Sequence, residues 1–156
     1  MTLPRENVQH YPRPPLLEPV AVPLRLILGG AVVAETEAGL RVCETHHAPT
    51  YYFPPGSVQA QLIPAGGGSF CEWKGRARYF DVIAGGRTAP RAAWAYDRPS
   101  PRFAALAGYL AFYPGGMDEA WVGGLRVVPQ PGDFYGGWVT ENLDGIVKGG
   151  PGTEGW

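Results

Sequence analysis

Four consecutive residues, Cys71-Glu72-Trp73-Lys74, bring together a thiol, a carboxylate, an indole and an ammonium. They do so in a chain that has only two cysteines and whose lysines are Lys74 and Lys148, every other positive side chain being arginine. Read as one strand from Ser69 through Ile83, bent at Gly75, the stretch sends Cys71 and Trp73 to one face and Glu72 and Lys74 to the other. Cys71 is a candidate nucleophile if a histidine or lysine lowers its pKa, and His46 or His47 could approach from a loop to do so. The competing reading makes Cys71 a small buried hydrophobe. Lys74 is a candidate anchor for a carboxylate or phosphate, with Glu72 or Glu44 as a base beside it. If Glu72 and Lys74 face water instead, they are a surface pair contributing at most ~1 kcal/mol. Tyr51, Tyr52, Tyr79, Trp94, Tyr109 and Tyr113 could wall a cleft, and about half of them should belong to the core, where aromatic rings usually sit.

Other chemistries find less to work with. Two-metal nucleotidyl transfer needs converging carboxylates, yet there is no Asp-x-Asp, and Asp118-Glu119 would point to opposite faces of a strand. Gly66-Gly67-Gly68 lacks the lysine of a phosphate loop. Cys43, His46, His47 and Cys71 form an incomplete zinc set, so neither metal nor cofactor is expected. Thirteen Lys and Arg against fourteen Asp and Glu give a formal charge of −1 with no basic run, and nucleic acid is not an expected partner. No apolar stretch reaches the ~20 residues of a membrane helix, and residues 1–7 carry no signal-peptide pattern. A cytoplasmic protein with reduced cysteines is the expectation.

The elements that must position these residues read as β. The chain has 23 glycines and 17 prolines, yet 12% aromatics and 45% hydrophobics, which suits many turns between short strands rather than disorder. Residues 1–23 form a proline-rich arm, extended because proline fixes φ and lacks the amide donor. A single β domain follows over 24–140, and 141–156 is a tail ending in Trp156. Gly29-Gly30, Gly85-Gly86 and Gly123-Gly124 mark three tight hairpins. Strands are expected at 24–28, 31–35, 40–44, 50–53, 92–96, 109–113, 118–122, 125–128 and 134–140. Gly66 to Gly68 reads as a turn, Ser57 as the cap of a short helix through Gln61, and 102–107 as a second short helix. The predicted fold is a mainly β, antiparallel tent-like or sandwich domain with one or two short helices.

Several of these segments carry a family pattern. Glu44-Thr45-His46 with Pro49, Tyr51 to Pro55, Cys71 to Gly75, Ala93 to Tyr96, Ala111 to Pro114 and Pro129 to Gly137 together resemble the domain of unknown function 427 family. That family is also called a predicted nucleotidyltransferase, and the arm and tail resemble its cyanobacterial-type members. The resemblance implies packed antiparallel sheets similar to methionine sulfoxide reductase B and the cereblon ligand-binding domain, with a pocket between or against the sheets. Fold alone does not assign an activity.

The functional reading is a protein that binds a small anionic organic ligand in an aromatic-lined cleft. Its candidate ligand contacts are Glu44, Tyr51, Trp73, Lys74, Tyr79, Trp94 and Tyr113. The alternatives are a thiol-dependent enzyme using Cys71 with Glu72, and an interaction module docking through its arm or tail. A small molecule and a second copy of the chain, as a homodimer, are the partners left open. Whether the chain is an enzyme is not decided by its residues.

Overall fold

A computed structural model describes residues 3–71, 73–131, 135–150 and 153. Glu72 and Trp156, singled out above, lie outside the described residues. The strands, in chain order, are β1 (Glu6–Asn7), β2 (Leu16–Pro19), β3 (Leu24–Leu28), β4 (Ala31–Thr36), β5 (Leu40–Cys43), β6 (Thr50–Phe53), β7 (Gln61–Cys71) and β8 (Gly75–Ala84). They continue as β9 (Arg87–Tyr96), β10 (Leu110–Phe112), β11 (Glu119–Val122), β12 (Leu125–Arg126), β13 (Val128–Pro129), β14 (Trp138–Val139) and β15 (Leu143–Asp144). A seven-stranded antiparallel sheet runs β2-β5-β6-β10-β9-β8-β7, and a four-stranded sheet runs β12-β11-β3-β4. The molecule is mainly β, and its helical turns are short 3-10 segments.

Period-two alternation divides the large sheet into two working faces. Tyr51, Phe53, Phe80, Val82, Ala93, Ala95, Leu110 and Phe112 point toward the small sheet and meet Leu24, Leu26, Leu28 and Val33. Trp138 closes this core: its ring is fully buried, lies 5.0 Å from Tyr51 between centroids, and donates its indole N–H to the Phe112 carbonyl at 3.1 Å. The intervening residues, Val42, Tyr52, Tyr79, Trp94, Tyr96 and Ala111, form a second cluster on the opposite face, covered in part by Phe103 and Leu106.

The three glycine hairpins occur as β3–β4, β8–β9 and β11–β12. Two of them also pack against each other. A Cβ on Gly29 would stand 2.5 Å from the Gly85 carbonyl oxygen, and one on Gly85 would stand 2.2 Å from that of Gly29. Both residues have positive φ, so the turn and the contact each require glycine.

Several sequence expectations need correction. Ser69 to Ile83 is not one bent strand: β7 ends at Cys71, Trp73 and Lys74 lie in a turn, and the chain returns antiparallel as β8 with Cys71 opposite Gly75. Gly75 at φ 108° takes a conformation that side-chain-bearing residues avoid, which allows the reversal. Gly66 to Gly68 is no turn but lies inside β7, where the register slips between Pro64 and Gly68 as a bulge. The helix expected from Ser57 is a single 3-10 turn, Pro55–Ser57, since β7 begins at Gln61. The second helix is a 3-10 segment over Pro101–Leu106, interrupted at Phe103 by non-helical torsions. Residues 134–140 shrink to the two-residue β14, with Phe134 outside the described residues. The arm supplies edge strand β2, paired with β5, and its β1 pairs in parallel with β15 from the tail.

Candidate functional site

A cleft of about 250 Å³ opens on the second face of the large sheet. Its floor is an aromatic run across adjacent strands: Tyr79 on β8, Trp94 on β9 and Tyr113 just past β10. The ring centroids are 6.4 Å apart for Tyr79 and Trp94, and 4.5 Å apart for Trp94 and Tyr113. Pairing Tyr79 with Trp94 in the β8–β9 register puts the first two rings side by side. Arg91 stacks over Tyr79 at 4.4 Å, and Ser69 shares a 2.9 Å hydrogen bond with the Tyr79 hydroxyl. The lid over Trp94 is backbone, since a Cβ on Gly136 would fall 2.2 Å from its indole ring.

One end of the cleft is the β7–β8 turn. Cys71, Trp73 and Lys74 all line it, so the expected segregation of Cys71 and Lys74 onto opposite faces does not occur. A turn has no pleat to separate them. Ser100 holds it from outside: its hydroxyl donates to the Trp73 carbonyl at 2.5 Å and its amide to the Lys74 carbonyl at 3.1 Å. The Lys74 ammonium lies 5.8 Å from the centroid of Tyr96.

The other end is loop 44–48. Glu44 continues the face of β5 that holds Leu40 and Val42, and the His47 amide returns to the Glu44 carbonyl at 3.0 Å. Gln130, 2% exposed, fixes the loop through three bonds. Its Oε1 accepts from the Ala48 amide at 3.0 Å, and its Nε2 donates to the Lys148 carbonyl at 2.9 Å and to His47 Nδ1 at 3.1 Å. Because the Oε1 is committed to an N–H, the amide orientation is determined, and His47 Nδ1 must accept. The ring proton then sits on Nε2, 3.6 Å from a Glu44 carboxylate oxygen and facing the cleft. The Tyr135 ring meets His47 edge-on at 5.2 Å, with the Lys148 ammonium 5.5 Å from its centroid.

Burial, followed by the charges of Lys148, Lys74, His46 and Arg13, pulls the His47 pKa down to about 4. His47 is therefore neutral at pH 7 and acts as an N–H donor. The depressed value also links pH to stability. The unfolded imidazole takes up its proton near pH 6.5, whereas the folded one resists until about pH 4. The contribution is present above pH 6.5 and is lost as pH falls through the folded value. Between pH 7 and pH 4 this one group should cost on the order of 2–3 kcal/mol. Urea unfolding at both pH values should show a smaller acid loss in His47→Gln than in the parent; equal losses would rule His47 out as the cause.

Of the residues predicted to contact ligand, Glu44, Trp73, Lys74, Tyr79, Trp94 and Tyr113 line this cleft together, and Cys71 lines it with them. Tyr51 does not: it lies on the opposite face of β6, 4% exposed against Trp138, because its neighbour Tyr52 takes the cleft-side position. Glu72 lies outside the described residues. Reading from sequence missed His47 as a lining donor, Tyr96, Lys148 and the supporting Gln130. Lys148 had a signal, being the partner of Lys74 as the other lysine. Gln130 had none, as its role exists only where three separate segments meet. Cys43 is fully buried away from the cleft, its thiol pushed up to about 12 by burial.

A family model described as "Domain of unknown function (DUF427)" matches residues 16–123, more than half of the chain. The chain belongs to this family. The match covers both halves of the β7–β8 hairpin, loop 44–48 and the aromatic floor, while Gln130, Tyr135, Gly136 and Lys148 lie beyond it. No curated protein matches the sequence. Among the described residues of this DUF427 domain, no group of three or more His, Cys, Asp or Glu is placed to hold a metal ion. Asp118 and Glu119 stand at the small sheet, accepting from the Gly29 amide at 2.7 Å and the Trp121 indole at 2.9 Å, remote from the cleft. No helix among the described residues is long and apolar enough to cross a membrane.

Proposed function

We propose that this DUF427 domain binds a small organic anion with a flat, apolar body in the cleft on the outer face of its large sheet. One observation carries the reading: both lysines of the chain line that aromatic cleft, and among the described residues neither ammonium has an ion-pair partner. An unneutralised cation beside stacked rings favours a ligand that supplies a negative group and a π face. In this reading Lys74 meets the anion, Trp73 and Tyr113 wall the body, and Glu44 with the Nε2–H of His47 orients a polar substituent.

Benzoate is a suitable first probe, its binding followed by tryptophan fluorescence, since Trp73 and Trp94 both line the site. Lys74→Ala should weaken benzoate binding about tenfold, the usual weight of one charge-assisted hydrogen bond. Lys74 stands on a turn and is half-buried, with only a 5.8 Å contact from its ammonium to the Tyr96 ring, so the variant should lose no more than a few degrees of melting temperature. Unchanged benzoate affinity in Lys74→Ala would remove the assignment.

A further inference from the structure

Beyond His47 and Trp73 the cleft continues into a smaller compartment of about 190 Å³. It shares Glu44, His47, Trp73 and Lys148 with the main cleft and adds Arg13, Thr45 and His46. Arg13 belongs to the proline-rich arm. The arm holds one side of this compartment in place, because Thr45 Oγ1 donates to the Tyr11 carbonyl at 2.5 Å and the His46 amide to the Val8 carbonyl at 3.1 Å. The tail holds the other side: the Lys148 amide donates to the His46 carbonyl at 2.6 Å. His46 sits at φ 66°, a left-handed conformation that a non-glycine residue keeps only when its surroundings impose it. These bonds from two distant segments are what impose it.

Charge then narrows the ligand. Arg13, Lys74 and Lys148 face the joined compartments, and Glu44 is the only carboxylate among the described lining residues. The surplus is two positive charges, more than a carboxylate ligand would balance. We infer that the small compartment receives a dianionic end group, a phosphomonoester, whose apolar body occupies the aromatic cleft. A phosphomonoester carries about −1.5 to −2 at neutral pH and offers three acceptor oxygens. Arg13 can engage two of them with its planar fork, while Lys148 meets the group as a point charge. Among the described residues Arg13 makes no ion pair of its own and is exposed, so it is available to close over such a group.

This inference rests on the binding role proposed above, and a pair of probes with the same ring separates the two. Phenyl phosphate and benzoate would be titrated at pH 7.5 against the full chain and against Arg13→Gln. The parent should prefer phenyl phosphate by about tenfold or more, and Arg13→Gln should lose most of that preference while changing benzoate affinity less than about twofold. Inorganic phosphate should compete with phenyl phosphate at millimolar concentration. Equal affinity for the two probes, or an Arg13→Gln effect of the same size on both, would overturn the dianion assignment and leave the cleft's binding role standing. Absence of binding by both probes would remove the two together.

Discussion

Arg41→Met should lower folding stability by about 2–3 kcal/mol and release the N-terminal arm. The Arg41 side chain is 17% exposed and gathers two carboxylates from the arm. Its Nε donates to Glu18 at 2.7 Å, and Nη1 and Nη2 donate to Glu6 at 3.0 and 2.5 Å. Burial by itself works against the guanidinium charge, but the bonds to Glu6 and Glu18 with the nearby Cys43 and Tyr51 more than reverse this, so its pKa lies above the ordinary value. Without the arginine, two carboxylates face each other in partly dry surroundings. Breaking a fully buried pair costs about 3–5 kcal/mol, and the residual exposure of Glu6 and Glu18 argues for the lower part of that scale or just below it. The loss should come from the stranded charges rather than from the missing contact. Adding Glu6→Gln and Glu18→Gln to Arg41→Met should therefore recover most of it in urea unfolding. A triple variant no more stable than Arg41→Met would contradict the account. Faster proteolytic cleavage within residues 1–20 of Arg41→Met would show the arm leaving, and with it Arg13.

Gln130→Leu should be at least as damaging, about 3–4 kcal/mol, even though leucine is similar in volume and more apolar. The carboxamide satisfies the Ala48 N–H, the Lys148 C=O and His47 Nδ1, and leucine satisfies none of them. Each buried group left without a partner costs about 1–3 kcal/mol, with the imidazole able to recover part by turning. The damage should be functional as well as structural. Loop 44–48 and the Lys148 backbone are tied together through this residue, so benzoate affinity should fall although Gln130 does not line the cleft. Hydrogen exchange gives an independent reading, since the Ala48 amide should lose its protection in the variant. A melting temperature within a degree or two of the parent would show that the network contributes little.

Where sequence reading succeeded, local chemistry decided the outcome. Gly29-Gly30, Gly85-Gly86 and Gly123-Gly124 each make a hairpin because two adjacent residues without Cβ atoms can turn a strand pair unaided. The strand expected at 109–113 was legible for the same reason, and β10 over Leu110–Phe112 sends Leu110 and Phe112 to one face and Ala111 to the other, since a strand repeats every two residues whatever it packs against. It failed where neighbours overrode that period. Cys71 and Lys74 looked like opposite faces of one strand, but the chain reverses between them, and the cue at Gly75 reads equally as a bend or as the far side of a turn. Gly66 to Gly68 has the composition of a turn, yet the chain continues there as a bulged edge strand, pairing with Phe80 at Pro64 and resuming with Arg78 at Gly68.

Composition and local spacing determined the mainly β class, the hairpins and the small set of residues with chemical potential. Tertiary structure alone decided which of those residues share a space. It turned Tyr51 inward, brought Lys148 from the tail and Arg13 from the arm to the same loop, and gave Gln130 its three partners. The physical reason is range: a strand's period and a glycine's torsions act over a few residues, whereas the charge and shape of the cleft arise from segments more than a hundred positions apart.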